Sequence, residues 1–150
     1  MKNSQNIKAV IDLLNEALDL LRGQMLPHDT QLTPNFKLSE FLKDATPKQE
    51  QLRNLHELAA NLQVLRTRLN APIRINRGLS TEAENKAAGG AKQSRHLTGE
   101  AADIAVTGHT PTQVTAAIEA LIKDGKMSEG GLSAYKNHVH YDIRKTKVRW

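Results

Sequence analysis

Up to Leu69 the apolar residues form two stripes that recur every third or fourth position, and over Pro72–Asn76 they begin to alternate. A period near 3.6 commits a segment to a helix with one buried face, and a period of two to a strand. The chain therefore divides near Asn70 into a helical half and a half of short strands. The first helical stripe is Ile7, Val10, Ile11, Leu14, Leu18 and Leu21. Ser4 is the expected N-cap, and Gly23 with Pro27 marks the expected end. Its polar face carries Asp12, Glu16 and Asp19 instead of a basic stripe, which favours packing on the domain over a membrane surface. Residues 24–37 read as loop, and Leu38 to Leu42 as a short helix capped by Ser39. A second strong helix is expected from Pro47 to Leu69, with Thr46 as N-cap and proline in the first helical position. Its core stripe is Leu52, Leu55, Leu58, Ala59, Leu62, Leu65 and Leu69.

After Asn70 the segment Pro72–Asn76 alternates as a strand does, and a polar stretch containing Gly78, Gly89 and Gly90 follows. Ala101–Val106 reads as a second strand and Thr112–Lys123 as a third helix. Short strands are expected over Leu132–Tyr135, His138–Ile143 and Lys147–Trp150. The sum is an α+β fold, a small and largely antiparallel sheet packed with helices. The 150 residues suit one domain, with residues 1–34 a helix and linker packed on residues 35–150. The only aromatics are Phe36, Phe41, Tyr135, Tyr141 and Trp150, so the core rests on Leu, Ile, Val and Ala.

There is no cysteine, which excludes disulfide scaffolds, thiolate zinc sites, iron–sulfur clusters and thiol nucleophiles. Six histidines and sixteen carboxylates remain as metal ligands. The net charge is +5, of which +4 falls after Pro72. That balance suits nucleic acid, lipid headgroups or a bacterial cell wall. No segment reads as membrane-spanning, and the apolar run of the first helix is too interrupted for a secretory signal.

Two segments concentrate the chemistry. Ser94–Asp103 carries His96 and, seven residues on, Asp103; His138-Val139-His140-Tyr141-Asp142 comes later. On a strand, His138, His140 and Asp142 project from one face, and two imidazoles with a carboxylate suffice for a three-ligand zinc site with an open fourth position. The alternative is a set of solvent-exposed histidines and a coincidental His–Asp spacing. His28, His56 and His109 read as structural or exposed: one in a loop, one within a helix, one beside a turn.

The stretch from Gly89-Gly90 through Ser94-x-His96-x-x-Gly99-x-Ala101-x-Asp103 resembles the signature of the zinc D-Ala-D-Ala metallopeptidases. Gly130-Gly131-Leu132, Val139–Asp142 and Val148-Arg149-Trp150 are similar to that family's C-terminal part, and Phe36–Phe41 with the Leu52–Leu69 helix to its opening elements. The resemblance spans residues 35–150 and implies a hedgehog- or lysostaphin-like zinc peptidase acting on peptidoglycan stem peptides, as carboxypeptidases, endopeptidases and phage endolysins do. It implies His96, Asp103 and His140 as metal ligands and Zn2+ as the ion. Some members carry a glutamate three residues before the last ligand, where this chain has Asn137. Relatives with a His-x-His pair use the first histidine in proton transfer, which implies His138 as general base or transition-state hydrogen-bond donor, ahead of Glu129 and Glu100. The rings of His96 and His140 are expected to be oriented by Asp142 or by backbone carbonyls bonded to their free ring nitrogens. The chain departs from the family at Arg77-Gly78-Leu79-Ser80-Thr81: Leu79 replaces an aromatic, and Ser80 stands where an arginine binds substrate or the oxyanion. Arg77, with Ser80, is the candidate to supply that function from a shifted position.

These readings converge on a monomeric zinc peptidase with peptidoglycan stem peptides and an anionic cell wall as partners. It would be made in the cytoplasm without a signal peptide and act at the wall, released through a membrane lesion or carried on a virion. A non-catalytic, zinc-containing wall-binding relative is the alternative. Nucleic-acid binding has only Arg144, Lys145, Lys147 and Arg149 near Trp150 in its favour, with neither a recognition-helix pattern nor a base-stacking platform.

Overall fold

Helix α1 (Lys2–Met25) begins ahead of Ser4 and continues through Gly23, so neither residue delimits it. The computed structural model describes the backbone of residues 2–25, 27 and 29–150, and the side chains of residues 5–21, 27 and 29–150; His28 lies outside the described residues. The apolar stripe of α1 faces water. Ile7, Val10, Ile11, Leu13, Leu14, Leu18, Leu20 and Leu21 are each 44–66% exposed, although α1 comes into contact with α3.

The segment expected as loop contains a small hairpin, β1 (Gln31–Thr33) and β2 (Phe36–Lys37), turned at Pro34-Asn35. Its buried Phe36 tilts against Phe41 at 5.9 Å, so a core aromatic holds a segment that periodicity alone could not reveal. Helix α2 (Leu38–Phe41) follows directly. The Lys37 backbone N–H donates to Glu40 Oε1 at 2.8 Å, which puts the cap at Lys37 and leaves Ser39 inside the helix. Helix α3 (Gln49–Leu69) likewise starts two residues later than expected. Gln51 Oε1 accepts from the Lys48 N–H at 2.7 Å, while Thr46-Pro47 stays outside the helix. Asn70, left-handed at φ 48°, closes α3.

Strand β3 (Ile73–Arg77) leads to helix α4 (Glu82–Ala87), which the polar stretch concealed. Its start is a capping box. The Glu84 N–H donates to Thr81 Oγ1 at 3.2 Å and the Thr81 N–H to Glu84 Oε2 at 2.8 Å. A single 3-10 turn over Arg95–Thr98 precedes β4 (Ala101–Val106). Helix α5 (Pro111–Lys123) is capped by Thr110, and β5 (Gly131–Ala134), β6 (Val139–Asp142) and β7 (Val148–Arg149) complete the chain.

The five later strands form one sheet in the order β3–β4–β6–β5–β7, antiparallel except for the parallel β5–β7 pair. The α+β architecture is as the patterning implies. Leu55, Leu58, Leu62 and Leu65 of α3 and Ile118 of α5 are fully buried with Ile104 and Tyr141 of the sheet. That core closes without α1. Among the described residues no helix is long and apolar enough to cross a membrane.

Candidate metal centre

Register brings two of the three expected ligands face to face. Asp103 on β4 lies directly opposite His140 on β6, and directly opposed residues share a face of the sheet. His96 arrives from the 3-10 turn, where Ser94 Oγ accepts its backbone N–H at 3.3 Å. One ligand atom each from His96, Asp103 and His140 lies within 4.8 Å of the others.

Each imidazole is oriented from behind. His96 Nδ1 lies 2.8 Å from the Gly78 carbonyl oxygen, to which it donates. In the neutral ring that leaves the Nε2 lone pair facing Asp103 Oδ1, 3.3 Å away. That nitrogen is buried and has no hydrogen-bond partner among the described residues. His140 Nε2 lies 2.9 Å from Asp142 Oδ2 and its Nδ1 3.1 Å from Asp103 Oδ1. With Nε2–H given to Asp142, the Nδ1 lone pair also turns toward Asp103. Three acceptors thus converge on one point, a donor set that a cation satisfies and a neutral core does not. Two imidazole nitrogens and one carboxylate oxygen match an open zinc site, and the orphaned His96 Nε2 is the observation that fits the ion.

In the metal-free chain a proton takes part of that place. Burial pushes the His140 pKa down, but the Asp103 and Asp142 carboxylates outweigh it and hold it above 6.5. Burial alone would raise the Asp103 carboxyl, yet the His140 side chain bonded to it holds it below its ordinary value. Asp142 is fully buried. Burial is again outweighed there, by bonds from His140, from Arg144 at 2.8 and 2.6 Å, and from the Gly131 N–H at 2.9 Å. Gly130 and Gly131 make room for this arrangement. A Cβ on Gly130 would stand 1.7 Å from the Asp142 carbonyl oxygen, and one on Gly131 2.3 Å from Asp142 Oδ2. The spacing-based set of His138, His140 and Asp142 does not assemble as three ligands, because Asp142 bonds the far nitrogen of His140 instead of facing the same point.

Arg77 on β3 is opposite Asp103. Its guanidinium donates to Ser80 Oγ at 3.0 Å and to Asn85 Oδ1 at 2.9 Å, both neutral acceptors, and it forms no ion pair among the described residues. Ser80 is buried, and its N–H bonds the His96 carbonyl at 2.9 Å. Arg77, Gly78 and Ser80 line a cleft of about 390 Å³ that none of the three ligands enters. Gly78 is required there, since a Cβ would lie 2.5 Å from the Phe41 carbonyl oxygen. Asn85, which also bonds the Ala91 carbonyl, was missed together with α4; the Thr81…Glu84 capping pattern was the available signal.

His138 is half-buried just ahead of β6, its ring stacked on Tyr135 at 4.6 Å and 8°. Glu129 is engaged by Arg149 and Glu100 by Arg95 and Thr98, which occupies both weaker candidates for the base. His56 is exposed on α3, and His109 bonds the Thr107 carbonyl at 3.0 Å. The C-terminal basic run is mostly spent internally: Arg144 on Asp142, Lys145 on Glu57, and Arg149 on Glu119 and Glu129.

Residues 34–142 match the sequence model of the family described as Peptidase M15. No curated protein matches the chain. Among solved structures the chain is similar to the crystal structure of Serratia marcescens L-Ala D-Glu endopeptidase ChiX, with 21% identity and a TM-score of 0.43. That likeness covers 63% of this chain and 86% of the other.

Proposed function

The chain belongs to the peptidase M15 family, and on that premise we propose that it is a zinc-dependent peptidase hydrolysing peptide bonds in peptidoglycan stem peptides or cross-links. The observation that carries this reading is the convergence of His96 Nε2, Asp103 Oδ1 and His140 Nδ1, with the first of these buried and unpartnered among the described residues. Those three residues would hold the ion. Zinc at such a site supplies Lewis acidity for the scissile carbonyl and for the attacking water.

The remaining steps belong to the chain's own side chains. His138 takes the proton of the attacking water and returns it to the leaving nitrogen. Its position two residues before His140 and its partial exposure support that role. Asp142 fixes the His140 tautomer through Nε2, and the Gly78 carbonyl does the same for His96 through Nδ1. Arg77, held by Ser80 and Asn85, offers its cation to a substrate carboxylate or to the oxyanion. Residues 35–150 form the peptidase domain in this reading and residues 1–34 an addition to it. The anionic cell wall is its place of action.

The test is digestion of purified cell-wall sacculi, followed by mass spectrometry of the released muropeptides. Products shortened or separated at a peptide bond, lost with chelator and regained with zinc, are the expected result. Wall binding without any cleaved peptide bond would overturn the peptidase reading in favour of a non-catalytic relative.

A further inference from the structure

Phe36, Phe41 and Tyr141 are buried in the core, whereas Tyr135 and Trp150 are 44% and 55% exposed. The two open aromatics are neighbours, and one of them, Trp150, stands against the proposed ligand His140. Trp150 Nε1–H donates to the Tyr135 hydroxyl at 2.8 Å. The indole lies 5.1 Å from the His140 ring, and Tyr135 stacks on His138. The Trp150 backbone is anchored separately, its carbonyl accepting from Ser133 Oγ at 2.5 Å. Ser133 is opposite His140 on β5, so the row Arg77, Asp103, His140, Ser133 crosses the sheet and ends beside Trp150.

A core this poor in aromatics leaves two of them in water only at a cost, and an apolar surface beside a polar site is how ligand pockets are commonly lined. We propose that Trp150 and Tyr135 form a substrate wall at the end of the site opposite Arg77, taking an uncharged stretch of peptide against their ring faces. Arg144 lies 5.8 Å from the indole centroid and is committed to both oxygens of Asp142. The wall is therefore suited to neutral amide planes and small apolar side chains. The Tyr135 hydroxyl accepts from Trp150 and still has its own proton to donate to a peptide carbonyl. The charged end of the substrate lies toward Arg77. The assignment rests on the peptidase reading for its substrate class.

Trp150 is the only tryptophan in the chain, so its emission reports directly on the wall. Adding a soluble disaccharide-tetrapeptide muropeptide to the zinc-loaded protein is expected to shift that emission saturably. Kinetically, Trp150→Ala is expected to raise KM about tenfold or more, the range for truncating a buried aromatic anchor, with kcat within about threefold. Trp150→Phe is expected to recover most of the loss. Zinc content of one per chain in both variants guards against a disturbed centre, because the Ser133 bond is to backbone. An unchanged KM in Trp150→Ala with zinc retained, or a flat emission titration in an active enzyme, would overturn the wall. A saturable emission shift in a protein that cleaves nothing would instead overturn the peptidase reading and leave the wall standing.

Discussion

At the scale of single residues, His140 sets how the centre responds to pH. Its pKa in the metal-free fold lies above 6.5, so the protonated ring contributes stability that is fully present below that value. This contribution disappears as pH rises through the raised pKa. Metal-free protein should therefore melt at lower temperature as pH climbs from about 6 to about 9, whereas added zinc, which replaces that proton, should reverse the trend. Melting curves followed by circular dichroism across that range check both signs. Asp142 has the opposite sign: its carboxyl is held below its ordinary 3.8, so its contribution is present above that pH and is lost on acidification. Asp142→Asn should weaken zinc binding by about 10- to 100-fold, as losing an orienting partner does, measured by competition with a chromogenic chelator. His138→Ala should leave zinc binding intact and lower turnover by about 10²–10⁴-fold.

At the scale of elements, the two long amphipathic helices look alike in sequence and behave differently. Leu55, Leu58 and Leu62 of α3 are fully buried, whereas the stripe of α1 is open to solvent. Leu58→Ala should cost about 2–5 kcal/mol, and deleting residues 1–26 should shift the melting temperature by only about 2 °C; thermal denaturation of the two variants separates them. Periodicity shows that a stripe exists, not what covers it, which is why the position of α1 was not legible. The strands and α5 were legible within a residue or two because alternation and the three-to-four spacing of Val114, Ile118 and Leu121 are local signals. The β1–β2 hairpin and α4 were not. The hairpin is held by Phe36 in the core, and α4 by a capping box inside a stretch with almost no apolar residues. His96, Asp103 and His140 could be grouped through the resemblance, since spacing alone favoured His138, His140 and Asp142. Only strand register shows that Asp142 backs His140 while Asp103 faces it.

At the scale of the whole molecule, the charge of +5 is unevenly available. Three of the four cations near Trp150 are ion-paired within the chain, which removes the main support for a nucleic-acid surface. Retention on anionic sacculi should be electrostatic and fall several-fold between about 0.05 M and 0.5 M salt, as a co-sedimentation assay would show. The central claim is that His96, Asp103 and His140 together hold the ion on which hydrolysis depends. Zinc content and muropeptide hydrolysis measured on the same preparations of wild type, His96→Ala and Asp103→Ala test it most directly. One zinc per wild-type chain, and loss of both metal and turnover in each variant, is the predicted result; full turnover by His96→Ala would contradict it.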